Sequence, residues 1–170
     1  ADKAFTNLMG IVVEPVTLTI SATKFKSEGA LLITHWGMSG PATLKLSAHA
    51  ARYLHEQNYK VNVAINWVNQ SNANSVEEHI ANIIQRNPKK HIAGIAPYQL
   101  TNRMWQYLLE RADIDGTKRW EELGRKGLNK LIETLTNDIH ATQGKGRFKD
   151  EFVTCGGISL QSINSSTLES

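Results

Sequence analysis

The chain has 170 residues, 41% hydrophobic and 21% charged, with a formal net charge of +3, enough apolar material for one good core or two small ones and too ordinary a charge content for wholesale disorder. The slight positive balance falls short of the concentrated field of a nucleic-acid binder, so it gives such a partner only weak support. The single cysteine, Cys155, excludes an internal disulfide framework and fits a reducing, cytoplasmic location, and no run approaches the roughly 20 apolar residues of a membrane span.

From the N-terminus, Ala1-Asp2-Lys3 opens no signal peptide. Val16, Leu18 and Ile20 alternate with Thr17, Thr19 and Ser21, the period of a half-buried strand, with Pro15 marking its start or an edge. Ser27-Glu28-Gly29 reads as a turn into a second strand, Ala30 to Thr34, giving a hairpin. Gly37-Met38-Ser39-Gly40-Pro41 breaks that strand and starts a helix, because proline suits a first helical turn. Leu46, Ala50, Tyr53 and Leu54 carry helical spacing from Ala42 to Glu56, and Val61, Val63, Ile65 and Trp67 mark another strand.

Beyond a polar linker from Asn69 to Asn74, Ser75-Val76-Glu77-Glu78 reads as a capping box for a helix ended by Asn87-Pro88. Further helices are predicted from Tyr98 to Ala112, around Trp120 with Thr117 as cap, and across Leu128, Leu131, Ile132 and Leu135. Strand character returns at Ile139 to Thr142, Phe148 to Thr154 and Ile158 to Leu160. The fold class expected is α+β: a discontinuous β-barrel-like lobe, residues 1–70 and 139–170, with an inserted helical lobe, residues 71–138. The start without methionine and the end in Ser166-Thr167-Leu168-Glu169-Ser170 are those expected of an internal piece of a larger protein.

Among candidate sites, the strand–turn–helix from Ile33 to Ala42 stands out, since unpaired amides at a helix start attract anions. On local grounds a glycine turn serving chain geometry alone is the favoured reading, because only a minority of helix starts bind ligands. Ser39 lacks the second glycine of a nucleophile elbow, because Pro41 occupies that position, and His140 precedes Asp150. Cys155 reads as a small buried residue rather than a reactive thiol. His49 and His55 lie on different helix faces, and no Cys/His spacing suits a metal. Lys145, Arg147 and Lys149 around Phe148, and Lys89-Lys90-His91, are short basic runs of the kind found on solvated surfaces. Gly144 to Lys149 fails as a dinucleotide fingerprint, having lysine where the third glycine belongs and leading into a strand.

Two stretches together carry a family resemblance. Thr34-His35-Trp36-Gly37-Met38-Ser39-Gly40-Pro41 and Val153-Thr154-Cys155-Gly156-Gly157-Ile158 resemble the THxGxSGP and VTxGGV segments of the YhiN/BaiN-like NAD(P)/FAD-dependent oxidoreductases, a bacterial flavoprotein family. The helical middle, including Arg103-Met104-Trp105 and Trp120 to Ile132, suits that family's insert. Cys155 stands where the pattern often has alanine, and Leu168 where it has methionine.

The resemblance implies an insert domain in a Rossmann-like FAD domain, with the FAD fingerprint before Ala1 and a return to that domain after Ser170. It implies that Thr34, His35, Gly37, Ser39, Gly40, Pro41, Thr154, Gly156 and Gly157, with Val153 beside them, face cofactor or substrate. It assigns no catalytic acid or base. FAD, with NAD(P)H as an option, belongs to the parent protein and not to this chain, whose expected partners are the parent's FAD-binding domain and a small-molecule substrate. The rival readings are a non-catalytic module binding RNA or a protein, and an insert that only stabilises or dimerises its parent.

Overall fold

The alternation in VVEPVTLTI produces the first strand of the computed structural model, which describes residues 8–34, 37–145 and 152–154. In this strand, β1 (Val12–Ile20), the side chains of Val16, Leu18 and Ile20 are at most 1% exposed, as a period of two requires when one face is buried. The strand begins before Pro15 rather than at it. Pro15 falls where the register with the next strand shifts, between Val13 and Val16, so its missing N–H lies where the ladder is already interrupted.

The second strand, β2 (Lys26–Ile33), corrects the predicted turn. Ser27, Glu28 and Gly29 are paired with Leu18, Thr17 and Val16, and the turn lies earlier. There Thr23 Oγ1 donates to the Ile20 carbonyl at 2.7 Å and accepts from Phe25 N at 3.1 Å, while Ala22 takes a left-handed φ of 63°. A local side-chain turn one segment upstream therefore outcompetes the Ser-Glu-Gly signal.

Gly37 to Ser39 is itself a short strand, β3 (Gly37–Ser39), and the helix follows it in two pieces, α1 (Pro41–His49) and α2 (Ala51–Glu56), interrupted at Ala50. Leu46, Ala50 and Leu54 keep the four-residue spacing across the interruption, and all are buried. After β4 (Asn62–Asn66) come three α-helices, α3 (Ala73–Arg86), α4 (Asn102–Arg111) and α5 (Gly124–Thr136), then β5 (Asp138–Lys145) and β6 (Phe152–Thr154). The strand predicted at Ile158 to Leu160 lies outside the described residues.

All strand pairs are antiparallel, in the order β1-β2-β3-β6-β5-β4, and β4 pairs back onto β1 to close a barrel. Strands from both sides of the helical segment thus share one sheet, an α+β arrangement with a barrel-like lobe. By contacts the chain divides into two compact units, Gln70–Thr136 and the remainder.

Within the barrel unit, β5 turns a polar face inward. Asp138, His140 and Thr142 are buried, whereas Ile139 and Ala141 are only half-buried. Asp138 Oδ2 accepts from Trp67 Nε1 at 2.9 Å and lies 3.0 Å from His140 Nε2. Thr142 Oγ1 donates to the Tyr59 carbonyl at 2.6 Å and accepts from Val61 N at 3.1 Å, fastening the left-handed turn after α2.

In the helical unit the caps differ from the sequence expectation. Asn72 caps α3 by accepting from Asn74 N at 2.8 Å, so Ser75 lies inside the first turn. Thr101 caps α4 by accepting from Met104 N at 3.2 Å, and Tyr98 belongs to a separate 3-10 turn, Pro97–Gln99, where Tyr98 and Gln99 have left-handed φ. Thr117 caps nothing. The turn Trp120–Glu122 starts instead at Arg119, whose N–H is taken by Glu122 Oε1 at 2.8 Å. The fully buried indoles of Trp105 and Trp120 stack at 6.1 Å; Trp105 Nε1 donates to the Ile92 carbonyl at 2.8 Å, while Trp120 Nε1 has no partner among the described residues.

The fold generates one prediction. Asp138→Ala strips both Trp67 and His140 of a buried acceptor and should lower unfolding free energy by about 3 kcal/mol. Asp138→Asn, which keeps an amide oxygen, should lose less than half of that. Urea unfolding followed by tryptophan fluorescence measures both, and equal losses would show that the shared acceptor is not what matters.

Candidate functional site

The end of β2 and the start of β3 are hydrogen-bonded to each other. Thr34 N donates to the Gly37 carbonyl at 2.9 Å, and Thr34 Oγ1 accepts from Gly37 N at 3.1 Å. In the ladder Gly37 then faces Val153, and Met38 faces Phe152. Gly37 of the first motif and Val153 of the second, distant in sequence, therefore pair on β3 and β6. Thr154 lies opposite Thr142 of β5. Ser39 is a buried residue of β3 paired with Leu32, and Pro41 is exposed in the first turn of α1. His35, Gly156 and Gly157, like Cys155, lie outside the described residues.

Gly40 caps α1 with φ 97° and ψ 178°, a conformation open essentially to glycine alone. A Cβ at this position would sit 3.1 Å from Leu32 N and 3.2 Å from the Ala30 carbonyl, so the cap presses directly on the backbone of β2. Pro41 brings no N–H to the first turn. Ala42 and Thr43 are fully buried, and Ser27 Oγ donates to the Ala42 carbonyl at 2.6 Å. A dinucleotide diphosphate needs open amides at a glycine-rich helix start. Gly40 packs against β2 and Pro41 has no N–H, so the described residues of this helix start do not offer the set of open amides that a dinucleotide diphosphate needs.

The barrel unit has an open groove of about 460 Å³ at the other end of α1, lined by Thr17, Lys26, Ser27, Glu28, Lys45 and His49. Lys45 Nζ donates to the Glu28 carbonyl at 3.1 Å. Asn69 links the groove wall, accepting from the Thr17 hydroxyl and donating to the Glu28 carboxylate. The one trace of this groove in the sequence is Pro41, Lys45 and His49, spaced by four along one helix.

The helical unit offers a smaller depression of about 250 Å³ with Asp113, Asp115, Lys118, Lys126 and Lys130 in its lining. Hydrogen bonds from the side chain and backbone of Thr117 hold the Asp115 carboxyl below its ordinary pKa. Elsewhere in this unit the His79 ring stacks on Tyr98, centroids 3.9 Å apart, and its Nε2 accepts from Tyr98 N at 3.2 Å. Burial lowers the His79 pKa and raises that of Tyr98. Among the described residues no three His, Cys, Asp or Glu side chains are grouped to hold a metal.

A model of the family described as "HI0933-like protein barrel and H2TH domain" matches residues 1–153. The chain belongs to this family. The chain is also similar to a Haemophilus influenzae protein named ribosomal RNA dihydrouridine synthase, with 26% identity over 169 residues, covering 99% of this chain and 39% of that relative. The chain thus spans well under half of the relative's length. Within the HI0933-like domain the matched region ends at Val153, so the contact of Gly37 with Val153 lies inside it, while Thr154, Gly156 and Gly157 fall beyond.

Two predictions follow from these geometries. Gly40→Ala should cost about 2 kcal/mol or more, from a forbidden φ together with contact against the β2 backbone, and the loss is read from the thermal midpoint; an unchanged midpoint would contradict the cap geometry. His79 is held as a neutral acceptor with a lowered pKa, so the unfolded chain binds its proton more readily. Its contribution is complete above about pH 6.5 and declines as pH falls through that value towards the lowered folded pKa. Melting curves from pH 7.5 to 5 should fall more steeply for the parent sequence than for His79→Phe, and parallel curves would refute this.

Proposed function

We propose that the chain is the substrate-side domain of a flavin-dependent reductase that acts on uracil rings in RNA. The observation that carries this reading is the similarity, along 99% of the chain, to a protein named ribosomal RNA dihydrouridine synthase. The resemblance to the YhiN/BaiN-like oxidoreductases supplies the flavin. Forming dihydrouridine adds a hydride and a proton across the 5,6 double bond of uracil, a two-electron reduction, and bound flavin is a hydride donor suited to it. NAD(P)H is the natural source of those electrons.

In this reading FAD is held by another part of a longer protein, and the role of this chain is to bind and orient the RNA substrate. The start of α1 accords with that division, because Pro41 brings no amide and Gly40 packs against the β2 backbone where a diphosphate would need room. The Thr34–Gly37 connection and the adjacent β6 strand form the edge that meets the flavin and the reacting base. A cytoplasmic location accords with an RNA substrate and the single cysteine, and no described helix is long and apolar enough to cross a membrane.

The test is nucleoside mass spectrometry of ribosomal RNA from cells lacking the full-length protein. Dihydrouridine should disappear and return when the gene is restored; an undiminished content would sink the proposal. The isolated chain should purify colourless, and stoichiometric FAD copurifying with it would overturn the division of labour.

A further inference from the structure

We infer that the groove between β1, β2 and α1 holds the sugar–phosphate backbone of RNA flanking the reacting base. The inference rests on the RNA reading of the proposed function and adds to it a place where the strand is held.

The chemistry of the lining carries the argument. Lys26, Lys45 and His49 are exposed around the groove, and the Thr17 hydroxyl lies beside them. Glu28 is the one carboxylate in the lining, and the Asn69 amide engages it. Lys45 is aimed by a single bond to the Glu28 carbonyl, and an ammonium group has three donors. Among the described residues no Phe, Tyr or Trp lines the groove, and the His49 imidazole is the one ring there, so the lining has no broad platform for successive bases. Lysine ammonium groups and a hydroxyl suit phosphates better than base edges. The open volume of about 460 Å³ leaves room for a passing strand rather than a single small ion.

Position ties the groove to the motif edge. Pro41, Lys45 and His49 recur every four residues and so share one face of α1. Pro41 stands at the β3–α1 junction where the first motif ends, and His49 closes the helix at the groove. The 9 residues of α1 cover about 13 Å. A strand whose base reaches the junction can therefore lay its neighbouring phosphates along the Lys45 and His49 face. The basic run at Lys89 competes poorly, because Lys89 is paired with Glu121 at 3.3 Å.

The experiment is fluorescence anisotropy of the whole chain with a labelled single-stranded uridine-containing RNA, across a potassium chloride series. Lys26→Ala/Lys45→Ala should weaken binding about 10-fold and reduce the slope of log affinity against log salt by about 1.4, two phosphate contacts on a single strand. Lys89→Ala/Lys90→Ala removes the same charge from the helical unit and should change affinity less than about 2-fold. Circular dichroism melts confirm that the variants are folded. RNA binding that the groove variant leaves unchanged, or that the control variant weakens equally, overturns the groove and leaves the RNA reading standing. Absence of salt-dependent RNA binding by the unaltered chain overturns both. Polyglutamate competing as well as RNA, through the same lysines, overturns the assignment to RNA.

Discussion

Asp138 places one carboxylate oxygen against both the Trp67 indole N–H and the His140 ring, and this buried contact joins the strand that precedes the helical segment to the strand that follows it. A carboxylate withdrawn from water is costly unless its oxygens are satisfied. The partners are supplied by the ends of two segments separated by 71 residues. Closing a loop of that length costs roughly 4 kcal/mol of chain entropy, and the cost grows only logarithmically with length. A whole helical unit can therefore sit between β4 and β5 without forbidding their pairing. Register is enforced at the same point, because a one-residue slip of β5 would turn Asp138, His140 and Thr142 out of the core together.

What the sequence discloses follows from which interactions are local. β1, β4 and the apolar stripe of α4 were legible because their burial repeats at the period of the element itself. The β2 turn was misplaced because Ser27-Glu28-Gly29 has turn composition, yet pairing with β1 and the hydroxyl of Thr23 decide the matter. Ser75 has the pattern of a cap because an acidic residue stands three positions on, but the helix already starts at Ala73, where Asn72 accepts from Asn74 N. The inward polar face of β5 was invisible, since Asp138-Ile139-His140-Ala141 in isolation presents Ile and Ala as the buried side.

The candidate site divides in the same way. The motif residues from Thr34 to Pro41 could be singled out because glycine and proline are sparse and their backbone demands are local. Their neighbour across the sheet, Val153, could be linked to them only through family resemblance, since nothing in the intervening chain specifies that β3 and β6 pair. The groove needed the fold outright. Thr17, Lys26 and Lys45 come from three elements, and Asn69 reaches back to two of them.

Net charge is a poor guide to such a surface. A balance of +3 over 170 residues gives a nucleic-acid partner only weak support, which leaves an RNA-binding module as a rival reading of the sequence. Association with a phosphate chain depends on the few charges that line its path, because charges more than about 10 Å away are largely screened. Around the groove the lining has two lysines against one glutamate, and that glutamate already has an amide partner. An ordinary total charge is thus compatible with a local cationic track, provided the acidic residues that balance it are placed elsewhere or occupied. In the helical unit Lys89 and Arg125 show the opposite arrangement, being paired with Glu121 and Glu77. The distribution of partners, rather than the number of basic residues, separates the two surfaces.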